Sequence, residues 1–341
     1  MVIKKLTIEN WKSIVHLELN NPNPFSVFVG PNASGKSNIF EALDFFNLNS
    51  KMAYHFAERK FGGLDSFKPY NYSAENIKIK FDCTLNEFNP VIEIHYKKIN
   101  AGYEFLMMAR RNFPVFSDSA FDFQLFSEKY PETPQLFEKF SRIFIGNTEL
   151  DRSNFNDDFR LSTDAGNLEK VLKRILKDES KREEIIEWLQ LLIPGFENIE
   201  IQSQELSGTD SLLIYEKGTQ KPFPKNLISD GTYNILALLT AVFQSDEPQF
   251  LLIEEPENGL NPKVVKELVN LFRYRCEEHG DFIWLNTHSQ TLIRQLQEEE
   301  IILVDKKEGE TFVTQLKKGD ASGMPLDEAL LTNTFGGGIP W

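Results

Sequence analysis

The sequence predicts an α/β fold: a mainly parallel sheet flanked by helices, with an antiparallel β lobe and a helical insertion attached. Three observations predict it. Beyond Ile199, short apolar runs at 250–254, 282–286 and 301–305 alternate with helical segments, the pattern of parallel strands covered on both faces. Residues 2–9 and 14–20 alternate apolar and polar side chains, the period of strands with one buried face. Between these regions, residues 166–193 carry apolar stripes at helical spacing, first Leu168, Val171, Leu172, Ile175 and Leu176, then Ile185, Ile186, Leu189 and Leu192.

Taken in order, the first two strands form a hairpin or meander. The apolar run Phe25–Val29 is a strand, and a helix follows from Asn38 to about Asn47 with Ile39, Leu43 and Phe46 on one face. Residues 50–75 are irregular, broken by Gly62, Gly63 and Pro69. Strands follow at 77–83, 91–96 and 103–110, where β-branched and aromatic residues are dense. The stretch 112–160 is rich in Phe, Ser, Asp and Pro and yields only a short strand, Arg142–Ile145. The 166–193 helix holds a charged bridge, Lys177–Glu184, that can accommodate a turn, and Pro194-Gly195 ends it. Strands at 199–203 and 211–216 precede a helix from Thr232 to Phe243, strand Phe250–Glu254, helix 262–278, strand Phe282–Asn286, helix Gln290–Gln297 and strand Ile301–Asp305. The implied organisation is an N-terminal β lobe with its loop and first helix (1–110), an insertion or helical lid (111–198), a C-terminal lobe (199–318) and a tail (319–341).

Composition narrows the function. The 341 residues, 41% hydrophobic, suffice for a large core. With 51 acidic against 37 basic residues the net charge is −14, so the average field repels a polyanion, and no block of Lys and Arg offsets it. No run reaches the ~20 apolar residues needed to span a membrane, and the first residues lack the apolar segment of a signal peptide. Cys83 and Cys276 are far apart and fit no metal spacing, which reads as two reduced thiols in the cytoplasm. Of the 29 phenylalanines many crowd between Phe105 and Phe159 without helical spacing; core packing and an apolar docking surface both account for them.

The chemistry is concentrated in Gly30-Pro-Asn-Ala-Ser-Gly-Lys-Ser37, which lies between an apolar strand and a helix. This is the spacing of a phosphate loop in its working context. Inward-turned N–H groups of Asn32, Ala33, Ser34 and Gly35 form a concave anion site, and the helix N-terminus adds about half a positive charge. Lys36 reaches β- and γ-phosphates and the Ser37 hydroxyl ligates Mg²⁺. The strand Phe250–Glu254 ends in two carboxylates, at the place where α/β proteins bind ligands. Glu254 is placed to hold Mg²⁺, and Glu255 to polarise an attacking water. His288 follows a second buried strand and is placed to bond a γ-phosphate oxygen. Ser229-Asp230-Gly231-Thr232 opens a helix, either as an ordinary cap or as a phosphate cradle.

This ordered set resembles the ABC-type ATPases of the SMC, RecF and OLD kind, often labelled AAA-type. The resemblance rests on Asn10-Trp-Lys-Ser-Ile14, the loop ending Lys36-Ser37-Asn38, Ser229–Thr232, Glu254-Glu-Pro-Glu-Asn-Gly-Leu-Asn-Pro262 and Thr287-His-Ser289. Linkers such as Leu161–Leu168 and Ile193–Phe196 are similar too, and the match spans about 1–318. It implies an ABC head in which Ser229–Thr232 acts as the signature segment on ATP held by a second copy, so that a homodimer sandwiches two Mg-ATP. It also implies that Gly259, Leu260 and Asn261 cross that interface and that Lys12, Ser13 and Asn38 lie near the nucleotide. Three departures stand out. Glu254 occupies a position where many relatives have Asp. No Gln occurs between Lys36 and Gln124, so either Lys68 or Asn71 replaces the loop glutamine or hydrolysis is slow or gated. The short stretch after His288 implies that any effector, such as a nuclease, is a separate chain.

The leading functional expectation is an ATP-driven dimeric switch for a partner effector, of the kind used in phage defence or toxin-like systems. The alternatives are a RecF-like DNA-binding ATPase and a nucleotide sensor with negligible turnover.

Overall fold

The computed structural model describes residues 2–51, 60–62, 66, 76–84, 91–99, 102–110, 139–145, 159–203 and 210–332. The N-terminal hairpin is β1 (Val2–Trp11) and β2 (Ile14–Asn20), followed by β3 (Phe25–Val29) and α1 (Lys36–Lys51). Strands β4 (Asn76–Thr84), β5 (Val91–Ile99), β6 (Gly102–Arg110) and β7 (Phe140–Ile143) come next, then α2 (Leu168–Ile175) and α3 (Glu179–Leu192). The remainder runs β8 (Phe196–Ser203), β9 (Asp210–Glu216), β10 (Phe223–Pro224), α4 (Asp230–Phe243), β11 (Phe250–Glu254), α5 (Pro262–Glu278), β12 (Phe282–Thr287), α6 (Gln290–Ile293), β13 (Ile301–Lys307), β14 (Glu310–Gln315) and α7 (Leu326–Leu331).

The central sheet has the order β14-β13-β3-β12-β11-β7. Its neighbours are parallel except for the β13–β14 hairpin. Because side chains alternate across a strand, this sheet divides two cores. Val27 and Val29, Ile143, Leu251 and Ile253, Ile283 and Leu285 face the core built with α2 to α5 and with β8 and β9. Phe28, Phe140, Phe250, Leu252, Phe282 and Trp284 face the core shared with α1 and the antiparallel lobe. That lobe is a second sheet, β2-β1-β4-β5-β6, and a third small sheet is β10-β9-β8. The expected fold class is therefore observed. Among the described residues no helix is long and apolar enough to cross a membrane.

Local chemistry explains most boundaries. Asn261 caps α5, its side chain accepting from Val264 N at 3.1 Å, and Pro262 sits at the first turn, where its missing N–H costs nothing. The 166–193 region is two helices, because Asp178 accepts from Lys181 N at 3.2 Å and starts a new one.

Several bounds shift: α1 runs Lys36–Lys51 rather than 38–47, and β8 starts at Phe196 rather than Ile199. The strand expected at Arg142–Ile145 runs Phe140–Ile143, set by pairing of Phe140 with Phe250 and Ile143 with Ile253. The helix expected to reach Gln297 ends at Ile293, because Gln295 N and Leu296 N bond three residues back and tighten the turn. The chain must then enter β13, where Ile301 pairs with Val27. Strands β10 and β14 and helix α7 are additions. Gly63, Pro69 and most of the 105–159 phenylalanine cluster lie outside the described residues.

The phosphate-loop glycines matter for different reasons. Gly35 has φ +107°, a conformation costly for other residues. Gly30 matters for space, since an added Cβ would lie 2.0 Å from Val304 O on β13. Gly30→Ala is expected to cost about 1–3 kcal/mol, read as a lowered denaturation midpoint; an unchanged midpoint would contradict this close seat.

Candidate nucleotide site

The face of the central sheet that carries Phe140, Phe250, Phe282 and Trp284 turns polar at its C-terminal edge. Beyond the aromatics the same alternation presents Arg142, Glu254 and Asn286 on β7, β11 and β12; Glu254 lies opposite Asn286, and Arg142 lies opposite Leu252. Helix α1 starts over this edge, and its first turn brings Ser37 into the cluster.

Ser37 Oγ donates to Glu254 Oε2 at 2.9 Å. Asn286 Nδ2 donates to the same oxygen at 2.9 Å. The other oxygen, Glu254 Oε1, accepts from Arg142 Nε at 2.7 Å and from the terminal nitrogen of the same guanidinium. Burial works against the Arg142 charge, but Glu254 and Asp44 outweigh it and push its pKa up.

Lys36 is buried, and its ammonium donates to Gly30 O at 2.7 Å and Pro31 O at 2.9 Å. It is thus folded back under the loop. Burial lowers its pKa, opposed by the charges of Glu255, Glu254 and Glu257. Asn32 and Ala33 are exposed at the loop crest, with Ala33 at φ +62°, and Ser34 is buried with its Oγ unpartnered. The loop is braced from beneath. Asn38 Nδ2 donates to Ser13 Oγ at 2.6 Å, Ser13 Oγ meets Thr311 Oγ1 at 2.7 Å, and Thr311 Oγ1 donates to Ser34 O at 2.8 Å. Lys12 stands beside this brace, with φ +49°, and is ion-paired to Glu41 on α1.

Glu255 follows the strand with φ +47°, a conformation that costs a non-glycine residue on the order of 1–2 kcal/mol. Its N–H donates to Asn286 O at 2.9 Å and holds the turn. The turn carries its carboxylate to His288, whose Nδ1 is 2.9 Å from Oε1. The His288 side chain is 50% exposed. Glu257 joins them, all three offering ligand atoms within 4.8 Å of one another. Glu257 accepts from the Thr287 hydroxyl, which itself accepts from Ser289 N at 2.9 Å.

Ser229–Thr232 stands elsewhere. Ser229 caps α4, accepting from Thr232 N at 3.1 Å. Gly231 packs so closely on the loop after β11 that a Cβ would lie 2.6 Å from Gly259 O. Asn234 fixes that loop through Pro256 O at 3.3 Å and Asn258 O at 2.7 Å. Among the described residues, no hydrogen bond or ion pair joins Ser229–Thr232 to the phosphate loop of the same chain. Ser229 and Asp230 are exposed.

The donor set fits Mg²⁺-nucleotide. Ser37 and Glu254 offer hard oxygens side by side, as Mg²⁺ requires, and the loop offers N–H groups and one ammonium. Sequence reading missed Arg142, Asn286, Glu257 and Thr311. Arg142 was visible as a charge at the head of an apolar run, and Asn286 as the polar end of another. Thr311 gave no signal, lying beyond the last strand expected. Lys68 and Asn71 lie outside the described residues.

The fold is similar to that of solved SMC head domains. The SmcHead bound to the C-winged helix domain of ScpA superposes with TM-score 0.63 at 18% identity, covering 94% of this chain and 99% of that one. The Pyrococcus furiosus Smc head domain, solved with an extended coiled coil and the C-terminal domain of ScpA, gives 0.60 at 16%, covering 94% and 97%. The Thermotoga maritima SMC head gives 0.53 at 14%, covering 93% and 100%. The chain belongs to the family described as "AAA domain, putative AbiEii toxin, Type IV TA system", which matches residues 25–294. Uncharacterized protein MJECL44 of Methanocaldococcus jannaschii is 24% identical over 200 residues, 54% of this chain and 56% of that protein. The same organism's chromosome partition protein Smc is 37% identical over 67 residues, 20% of this chain. The chain thus spans about half the length of the first relative and 6% of the second. It is a member of an AAA-domain family with the fold of SMC head domains.

The Glu257 carboxyl is pushed from its ordinary 4.5 up to about 8, mainly by burial and further by Glu255, with the Thr287 hydroxyl pulling the other way. Between these values the folded protein holds a proton that the unfolded chain has released. The stability it contributes is complete below about 4.5 and is lost as pH rises toward 8. In nucleotide-free protein, Glu257→Gln is expected to flatten the decline of Tm across this window; parallel Tm curves would contradict it.

Proposed function

We propose that this chain hydrolyses ATP, closes as a homodimer around two Mg-ATP and so acts as a switch for a separate effector protein. The observation that carries the reading is the convergence of Ser37, Glu254, Glu255 and His288 beside a phosphate loop, while Ser229 and Asp230 are exposed and, among the described residues, Ser229–Thr232 makes no hydrogen bond to the loop of its own chain. A segment suited to cradling phosphate, yet unlinked to its own nucleotide site, has a task once a second copy supplies the nucleotide.

In this reading Lys36 leaves its carbonyl partners to neutralise β- and γ-phosphate oxygens. Ser37 and Glu254 would hold Mg²⁺, which would offset charge on the transferring group. Glu255 takes the proton from water as its oxygen bonds the γ-phosphorus; the bond to the bridging oxygen breaks, and ADP and phosphate leave. His288 orients Glu255 through Nδ1, which leaves Nε2 to face the γ-phosphate. Lys12 must leave Glu41 to approach the nucleotide. Once the γ-phosphate is gone, the bridge between copies is lost and the dimer relaxes.

The partner rests on two supports. Solved SMC heads of this fold carry ScpA domains, and the family description names a toxin–antitoxin system. Phage defence is one setting for such a pair, and the net charge of −14 favours a protein partner over nucleic acid.

Glu255→Gln is expected to lower turnover ~10²–10⁴-fold and, with Mg-ATP, to accumulate as a dimer by light scattering. Adding Ser229→Arg should leave ATP binding intact and return the protein to monomer. Dimers that form equally well in the double variant would contradict the sandwich.

A further inference from the structure

Arg142 is a deeply buried cation at the site, with its side chain 4% exposed and that of Glu254 1% exposed. It lies on β7, the edge strand, opposite Leu252 of β11. Two donors of its guanidinium converge on a single oxygen, Glu254 Oε1. A third nitrogen lies 3.8 Å from Asp44 Oδ2. Asp44 stands seven residues after Ser37 on α1, two turns on and therefore on the same helix face. Lys60 Nζ also lies 3.9 Å from Asp44 Oδ2. The guanidinium is thus wedged between the helix that begins with the phosphate loop and the strand that ends in the acidic pair.

This arrangement divides the two oxygens of Glu254. Oε1 is committed to arginine, and Oε2 is left facing Ser37 and Asn286. A carboxylate held in this way gives a cation one oxygen only, the mode that suits an octahedral Mg²⁺ retaining several waters. It also addresses the extra methylene of a glutamate at this position. A longer side chain has more rotamers to lose, and the arginine fork selects one of them. Lysine cannot do this, because its ammonium is a point donor without a planar fork.

We propose that Arg142 is a positioning residue for the Mg²⁺ ligand Glu254, fixing its carboxylate so that a single oxygen faces Ser37. This rests on the assignment of Ser37 and Glu254 as the metal-holding pair. It adds that the edge strand β7, distant in sequence from both, sets their affinity for the cation.

The test is binding of a fluorescent ATP analogue to the full chain at increasing Mg²⁺, read as the half-saturating Mg²⁺ concentration. Glu254→Gln should raise that concentration at least tenfold. Arg142→Lys, which keeps the charge and loses the fork, should raise it roughly 10–100-fold, the range for partners that orient metal ligands. In the Glu254→Gln background Arg142→Lys should have no further effect, because it acts through that carboxylate. Arg142→Gln, which keeps one donor to Glu254, serves the same comparison if the lysine variant does not fold. An unchanged Mg²⁺ dependence on substituting Arg142 while Glu254→Gln shifts it, or an equal shift in both backgrounds, overturns the proposal. If Glu254→Gln itself changes nothing, the metal-holding assignment falls first.

Discussion

The site depends on where three parallel strands stop. Val29 of β3 lies opposite Thr287 of β12, and Glu254 of β11 lies opposite Asn286. This register puts the start of the phosphate loop, the acidic pair and the histidine at one edge. A slip of one residue in β11 would turn Glu254 from the α1 face to the other core. The aromatic packing of Phe140, Phe250, Phe282 and Trp284 resists such a slip, with Phe250 touching the other three rings at centroid distances of 5.3, 5.9 and 4.9 Å. Core packing and site geometry are two ends of the same strands.

Electrostatics at this edge is unbalanced. Glu254, Glu255 and, once it ionises near pH 8, Glu257 stand against Lys36 and Arg142, and Arg142 is committed to Glu254 and Asp44. A bare triphosphate would meet carboxylates; one that arrives with Mg²⁺ meets a place for the cation. Burying an ion pair such as Arg142–Glu254 seldom adds net stability, although removing one partner costs several kcal/mol. Its retention is better understood through what it orients than through what it stabilises.

Much of this was legible in the sequence, for identifiable reasons. Strand β11 and helix α5 have the expected bounds because an apolar run, an Asn cap and a Pro at the first turn are all local signals. The phosphate loop is read from the spacing of Gly30, Gly35, Lys36 and Ser37 between an apolar strand and a helix. By contrast, β7 is displaced by two residues, since pairing with β11 across more than a hundred residues decides its limits. The Arg142–Glu254 pair was hidden for the same reason, being separated by 112 positions and joined only through sheet order. Thr311 was hidden because β14 pairs antiparallel with β13 at the sheet edge and alternates weakly in burial. Glu257 was legible as a residue of the acidic motif, but its displaced pKa arises from burial beside Glu255, which spacing does not reveal.

The central claim is that the Ser37–Glu254 contact marks the seat of the nucleotide's cation. A crystal structure of the chain with a non-hydrolysable ATP analogue and Mg²⁺ tests it most directly. The account predicts β- and γ-phosphates within Gly30–Ser37 and the cation lying between Ser37 Oγ and Glu254 Oε2, where their hydrogen bond now runs. A loop without phosphate, or nucleotide bound elsewhere while the serine–glutamate bond persists, would contradict it.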